Sequence, residues 1–376
     1  MNRLYVRLSI LVVVSLSVCA LWAQHSSTPA TEGGASKTAE QQFKNIQVLK
    51  GVPADEVIPA MQFISSSLGV ECEFCHVRNA FDKDDKKPKQ VARKMIQMQM
   101  AIDKDNFNGE SAVTCFSCHR GAENPVAIPV VLAAGEAPKR PEAENQGSAA
   151  AALPSADEIL NKYVQAVGGA AAVEKITSRK EDGTVAFGGQ QFPVEVFAKA
   201  PNKRISFVHT PNGDNITAFD GNSGWLGNPG PRPPRDMSAQ ENEAAGFDAT
   251  FYLPTELKKM FTQFRVRPSE KIDGKDVVQV IGMNQGHPPT RLFFDKDSGL
   301  LVRSVRYATT PLGNNPTEVD YADYHEEGGV KVPLQWTVAR PNGRFTIQIN
   351  KVEQNAAIPD SKFEKPAASE QKPGTK

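Results

Sequence analysis

Apolar residues recur at helical spacing twice within residues 41–125. Val57, Met61, Ile64 and Leu68 fall at i, i+4, i+7 and i+11, and Val91, Met95, Met98 and Ile102 repeat those intervals. Each set forms one apolar stripe and predicts a helix. Pro53 suits the start of the first helix and Gly69 its C-terminal cap. Beyond residue 155 the pattern changes. Ser155 and Glu158 make a capping box ahead of Ile159, Leu160, Tyr163, Val164 and Val167, with Gly168-Gly169 ending that helix. A second short helix is expected over 170–176. Alternation at period two then predicts strands over 184–187, 193–198, 204–209, 277–281, 291–294, 300–307, 318–324, 334–339 and 345–352. Turns such as Asp295-Lys296-Asp297-Ser298-Gly299 and Glu326-Glu327-Gly328-Gly329 separate them. A helical interlude over 238–261 carries Tyr252, Leu253 and Leu257, and Pro254 divides it.

The chain of 376 residues is long enough for two or three domains. Residues 1–23 open with Arg3 and Arg7, continue through an apolar run over 8–18, and end in small residues near Ala20 and Ala23. That is the layout of a secretory signal, with an apolar run too short to span a membrane. Residues 24–40 read as a disordered leader, 126–154 as an Ala/Pro-rich linker and 368–376 as a disordered tail. Between them lie a helical module over 41–125 and a β domain over 155–367. The proline-rich stretch 229–235 reads as an extended surface loop. Formal net charge is zero, so no basic surface argues for nucleic acid.

Four of the five cysteines stand in two copies of one pentapeptide, Cys72-Glu73-Phe74-Cys75-His76 and Cys115-Phe116-Ser117-Cys118-His119. Cys-x-x-Cys-His is the attachment signature of c-type haem. Two thiols on one helical turn each form a thioether, and the adjacent His ligates the iron. An all-thiolate zinc site would leave both histidines as coincidence. A thioredoxin-type pair lacks its strand-to-helix context, and a disulfide within either pair would close only a tiny loop. The fifth cysteine, Cys19, is expected to be an apolar residue of a discarded signal. A lipid anchor there is the lesser alternative, because Val18 is too large for a lipoprotein cleavage box.

Each predicted helix precedes one motif, giving a repeated unit of helix, connection and haem attachment. A Met occupies the second stripe position in both units. Met61 lies eleven residues before Cys72 and Met95 twenty before Cys115. Thioether sulfur is a soft ligand suited to haem iron opposite a His. Core packing is the alternative use of such methionines. Met98 and Met100 are fallback ligands for the second haem. His25, His209, His287 and His325 read as surface or strand histidines.

Residues 44–125 resemble the cytochrome c subunit of photosynthetic reaction centres. The resemblance rests on Ala60-Met61-Gln62-Phe63-Ile64-Ser65-Ser66-Ser67-Leu68-Gly69 leading into the first motif. It rests equally on Ala92-Arg93-Lys94-Met95-Ile96-Gln97-Met98 followed by Val113-Thr114-Cys115-Phe116-Ser117-Cys118-His119-Arg120-Gly121. The resemblance implies a Met on the preceding helix as sixth ligand, which falls on Met61 and Met95. That family typically carries four haems, and this chain has two motifs. The family also uses a His as one sixth ligand, and residues 103–114 contain none. The β region resembles the periplasmic lipoprotein-carrier fold in element order, in Asp295-x-x-Ser298-Gly299-Leu300-Leu301-Val302-Arg303 and in Ile358-Pro359-Asp360-Ser361-Lys362-Phe363. Such a fold offers a concave face to a lipid or hydrophobic ligand. Packing of that face on its own helices is the alternative.

The expected fold is thus α+β and multidomain: an all-α dihaem module, then an antiparallel open β-sheet, half-barrel-like, with a few helices. The expected protein is an exported electron carrier, not an enzyme, with two covalently bound haems c. His76 and Met61 would hold one iron, His119 and Met95 the other. Its partners would be redox proteins or a membrane-bound complex on the periplasmic side. The rival readings are a dihaem peroxidase-like enzyme with one open iron, and a lipid carrier with accessory haems.

Overall fold

A computed structural model describes residues 37–125, 153–228, 233–341 and 343–366. The signal over 1–23, the leader up to 36, His25, Cys19, most of the 126–154 linker, half of the 229–235 loop and the 368–376 tail lie outside the described residues. From Lys37 onward the chain forms one compact unit. No described helix is long and apolar enough to cross a membrane.

Two long helices organise the first segment: α2 (Ala54–Leu68) and α4 (Lys87–Asn106). Three short ones accompany them: α1 (Ala39–Gln42), α3 (Cys72–Cys75) and α5 (Cys115–His119). Pro53 is the N-cap of α2, and Gly69 closes it in the left-handed conformation at φ 68°. The connections over 77–86 and 107–114 are irregular, so this segment has less helix than an all-α module suggests. The two stripes behave differently. On α2, Val57, Ala60, Phe63 and Ile64 are buried. On α4 the buried positions are Lys89, Ile96, Gln99 and Asp103, while Val91, Met95 and Met98 face outward.

The Ser155–Glu158 capping box starts α6 (Ala156–Ala166), and α7 (Ala170–Val173) follows. The strands are β1 (Ser178–Phe187), β2 (Gln190–Lys199), β3 (Lys203–Thr210), β4 (Gly213–Phe219), β5 (Gly224–Gly227) and β6 (Arg235–Asp236). Helices α8 (Ala239–Ala249) and α9 (Leu253–Met260) interrupt, with Pro254 in the first turn of α9. The chain resumes with β7 (Gln263–Ile272), β8 (Lys275–Met283), β9 (Thr290–Asp295), β10 (Leu301–Thr310), β11 (Gly313–Glu327), β12 (Val330–Arg340) and β13 (Gly343–Gln354). All lie in one 13-stranded sheet ordered β6-β5-β4-β3-β2-β1-β13-β12-β11-β10-β9-β8-β7. Two antiparallel meanders meet where β1 pairs with β13. This is the large, open antiparallel sheet with few helices that the alternation predicts.

One face of the β7–β13 half packs on helices. Leu160, Tyr163 and Leu257 meet Val280, Leu292 and Phe294 in a single apolar cluster. The β2–β5 half buries a smaller cluster, Ile205, Ala218 and Trp225, beneath Ile358 and Phe363 of the C-terminal segment. Trp225 Nε1 donates to the Phe363 carbonyl at 3.0 Å and ties that segment down. Charge is buried too. Glu181 is 4% exposed with Arg179 3.7 Å away. Burial pushes its carboxyl pKa up, and the nearby arginines oppose that shift.

Phe363→Ala should cost about 3–5 kcal/mol in urea unfolding, because its fully buried ring leaves a cavity between Trp225 and Ile358. A raised carboxyl makes the folded state hold its proton more tightly than the unfolded chain. The stability linked to Glu181 is therefore complete below the ordinary value of 4.5 and falls as pH rises through the folded value. Glu181→Gln should flatten that fall in urea midpoints measured across acid to neutral pH.

Candidate functional site

The first motif follows directly from the end of α2. Gly69 turns the chain, Val70 N–H donates back to the Ser65 carbonyl, and Glu71 in extended conformation caps α3. Cys72 and Cys75 occupy that single turn. His76 leaves it in extended conformation with its N–H on the Cys72 carbonyl. Its Nδ1 lies 3.0 Å from the Phe81 carbonyl, and the two rings meet at 5.3 Å. A carbonyl only accepts, so Nδ1 carries the proton and Nε2 keeps its lone pair.

The loop that supplies this carbonyl is held from α4. Lys89 Nζ donates to the Phe81 carbonyl at 2.9 Å and to the Lys83 carbonyl at 2.7 Å. Lys86 Nζ donates to the Glu73 carbonyl inside the motif. Asp84 accepts from both terminal nitrogens of Arg93 at 2.9 Å and from Asn45 at 3.0 Å. Arg93 and Lys89 hold its carboxyl well below the usual carboxylate range.

The second motif is capped by Thr114 and Ser117, whose side chains answer each other's backbone N–H groups. His119 Nδ1 donates to the Ala122 carbonyl at 3.0 Å, repeating the arrangement at His76. Here the supports are Gln99 and Asp103. Asp103 Oδ1 accepts from Val113 N–H at 2.9 Å, and Gln99 Nε2 donates to the Val113 carbonyl at 2.9 Å. The polar i, i+4 pair on α4 was the available sign of these supports, together with Lys89 one turn into the helix. A stripe reading favours the apolar face and passes over them.

The motif turns also interlock. Gly121 N–H donates to the Ser67 carbonyl at 2.9 Å. A Cβ on Gly69 would stand 2.2 Å from the Gly121 oxygen, so only glycine permits this approach. Helix α5 therefore packs on α2, and α3 packs on α4.

All four thiols are free, Cys72 and Cys118 exposed and Cys75 and Cys115 half-buried, and burial pushes the latter two up. Among the described residues no three His, Cys, Asp or Glu side chains gather to hold a metal ion. Met61 is half-buried against Phe63, Ile64 and their neighbours. Met95, at 40% exposed, stands outward on α4 beside Val91 and Met98. Phe81 and Phe116, close to the two motifs, are exposed as well. A one-turn thiol pair, a preset Nε2 lone pair and nearby uncovered apolar surface are donor chemistry suited to a covalently held porphyrin. The remaining described histidines pair with carboxylates outside the motifs. His209 pairs with Asp214, His287 with Glu243 and His325 with Asp323.

Residues 18–184 match the family model described as photosynthetic reaction centre cytochrome C subunit. The chain is 34% identical over 104 residues to the photosynthetic reaction center cytochrome c subunit of Thermochromatium tepidum, covering 27% of this chain and 25% of that one. It is 33% identical over 116 residues to the subunit of that name in Roseobacter denitrificans, covering 28% and 31%. Cytochrome c-554 of Chloroflexus aurantiacus is 33% identical over 87 residues, 21% of each chain. The matches thus span a third or less of these curated relatives. Among solved structures, a LolA superfamily protein from Nitrosomonas europaea aligns with 57% of this chain and 99% of its own at 13% identity and TM-score 0.38. A DUF1329 family protein from Desulfovibrio piger aligns with 55% and 96% at 13% identity and TM-score 0.40. Over the segment that carries both Cys-x-x-Cys-His turns, this chain is similar to the cytochrome c subunits of photosynthetic reaction centres.

Proposed function

We propose that this chain is an exported dihaem c-type cytochrome that carries electrons. The observation that supports it most is the matched pair of imidazole bonds, His76 Nδ1 to Phe81 O and His119 Nδ1 to Ala122 O, each just after a Cys-x-x-Cys turn. Backbone acceptors of this kind fix the tautomer and ring orientation of a metal-bound His. Haem supplies reversible one-electron chemistry at iron, and the protein supplies its attachment, ligands and surroundings.

In this reading Cys72 and Cys75 hold one haem and Cys115 and Cys118 the other. His76 and Met61 would hold the first iron, and His119 and Met95 the second. A thioether opposite imidazole favours the reduced iron and raises the potential. With two protein ligands each, neither iron would be open to substrate.

The place of work is the periplasmic face of a bacterial membrane, and the partners are redox proteins or a membrane-bound complex of the reaction-centre kind. The sheet serves docking. Its apolar face already carries α6 and α9, which argues against carriage of a lipid there. One observation favours a second reading, a dihaem enzyme with one open iron: Met95 is 40% exposed.

Carbon monoxide separates these. The reduced protein, matured in a host that attaches haem c, should show two haems per chain and an absorption spectrum unchanged by carbon monoxide. A shift amounting to one haem would favour the enzyme, and absence of covalent haem would end both readings. Met61→Ala and Met95→Ala should each open one iron, so each variant gains carbon monoxide binding at one haem per chain. The double variant should bind at both.

A further inference from the structure

Strands β10 and β11 are joined by the two-residue turn Pro311-Leu312, and the tip of this hairpin reaches the helical segment. A hairpin tip is ordinarily a solvent-facing position. Leu312 is instead 0% exposed and packs among Leu49, Ala60, Phe63, Ile64 and Ile96. Thr310 locks the turn, its Oγ1 donating to the Gly313 carbonyl at 2.7 Å and accepting from Leu312 N–H at 3.2 Å. Gly313 sits at φ 145°, and a Cβ there would meet the Phe63 ring at 2.6 Å. Asn315 Nδ2 donates to the Pro59 carbonyl at 2.9 Å.

These contacts converge on one stretch of α2: Pro59, Ala60, Phe63 and Ile64. Met61 lies inside that stretch and packs against the same cluster. Proline at 59 has no N–H, so α2 lacks one of its own hydrogen bonds at this point. The outside contacts hold the helix where its internal ladder is weakest.

We propose that Leu312 and Asn315 of the sheet are positioning residues for the Met61 thioether. This rests on Met61 being the axial ligand of the haem on His76. A thioether is a weak ligand of iron, and it stays bound only while its backbone holds it in reach. Leu312 sets the depth of α2 by filling the space beside Phe63, and Asn315 sets its position along the axis through the Pro59 carbonyl. The sheet thereby acts on Met61 through α2.

The test uses the full, haem-loaded protein and two readouts of the iron–sulfur bond. One is the long-wavelength sulfur-to-iron charge-transfer band of the oxidised form. The other is carbon monoxide binding by the reduced form. Met61→Ala is the reference and should remove one haem's share of the band. Leu312→Ala and Asn315→Ala should each reduce that share and admit carbon monoxide at a fraction of one haem, with haem content and far-ultraviolet circular dichroism unchanged. Leu312→Val should fall between Leu312→Ala and the parent. Should Leu312→Ala fail to fold or to take up haem, Leu312→Val and Asn315→Ala decide. If Met61→Ala diminishes the band while the hairpin variants leave it intact, the positioning role is overturned and the ligand assignment stands. If Met61→Ala leaves the band intact, the ligand assignment fails and the positioning role with it.

Discussion

An imidazole can show a metal only one lone pair, and the backbone around it decides which. At both motifs a carbonyl a few residues downstream takes the Nδ1 proton: Phe81 for His76, Ala122 for His119. Much of the helical segment serves those two carbonyls. The irregular loop over 77–86 exists to bring Phe81 back to His76, and Lys89, Arg93 and Asp84 stiffen it. The second carbonyl lies beside Gly121, which is bound to the end of α2. Polar side chains buried on α4 are thus explained by the loops they hold. Lys89, Gln99 and Asp103 each have a partner there, while Gln99 Oε1 is buried without one.

The sheet contributes the apolar side chain of Leu312 and the amide of Asn315. Leu312 completes the core that α2 and α4 cannot fill between them. The segment over 37–125 is small, and two long helices bury little surface alone. Borrowing a leucine from a broad, well-packed sheet gives α2 a rigid neighbour. The sheet in turn is anchored by helices on one side and by the C-terminal segment on the other. The buried Arg179–Glu181 pair lies on β1, the strand where its two meanders join.

Regular pattern made much of this legible. The Pro53 and Gly69 boundaries of α2, the Ser155 capping box, the Pro254 division and nine of the strands follow from local chemistry that acts within a few residues. Strand β7 escaped because its sequence, Gln-Phe-Arg-Val-Arg-Pro-Ser-Glu-Lys-Ile, is charged and interrupted by Pro268, as suits a sheet edge. Strands β4 to β6 are short or glycine-bounded and lack clear alternation. On α4 the apolar stripe and the buried face are different faces. Periodicity alone assigns apolar residues to the protein core, and Val91, Met95 and Met98 stand away from it. The motifs themselves were readable because their chemistry is contained in five consecutive residues. The role of Leu312 was not, since one leucine in a turn carries no pattern.

The hydrogen bond from Asn315 to Pro59 joins residues 256 apart. Contacts between positions so distant in sequence form late, because the intervening loop must close first. A chain made from its N-terminus offers Cys72, Cys75, Cys115 and Cys118 long before the β10–β11 hairpin exists. During that interval α2 lacks its outer neighbour. The order of synthesis therefore makes all four thiols available before the hairpin can brace α2. Bracing by the hairpin follows only once β10 and β11 have been made.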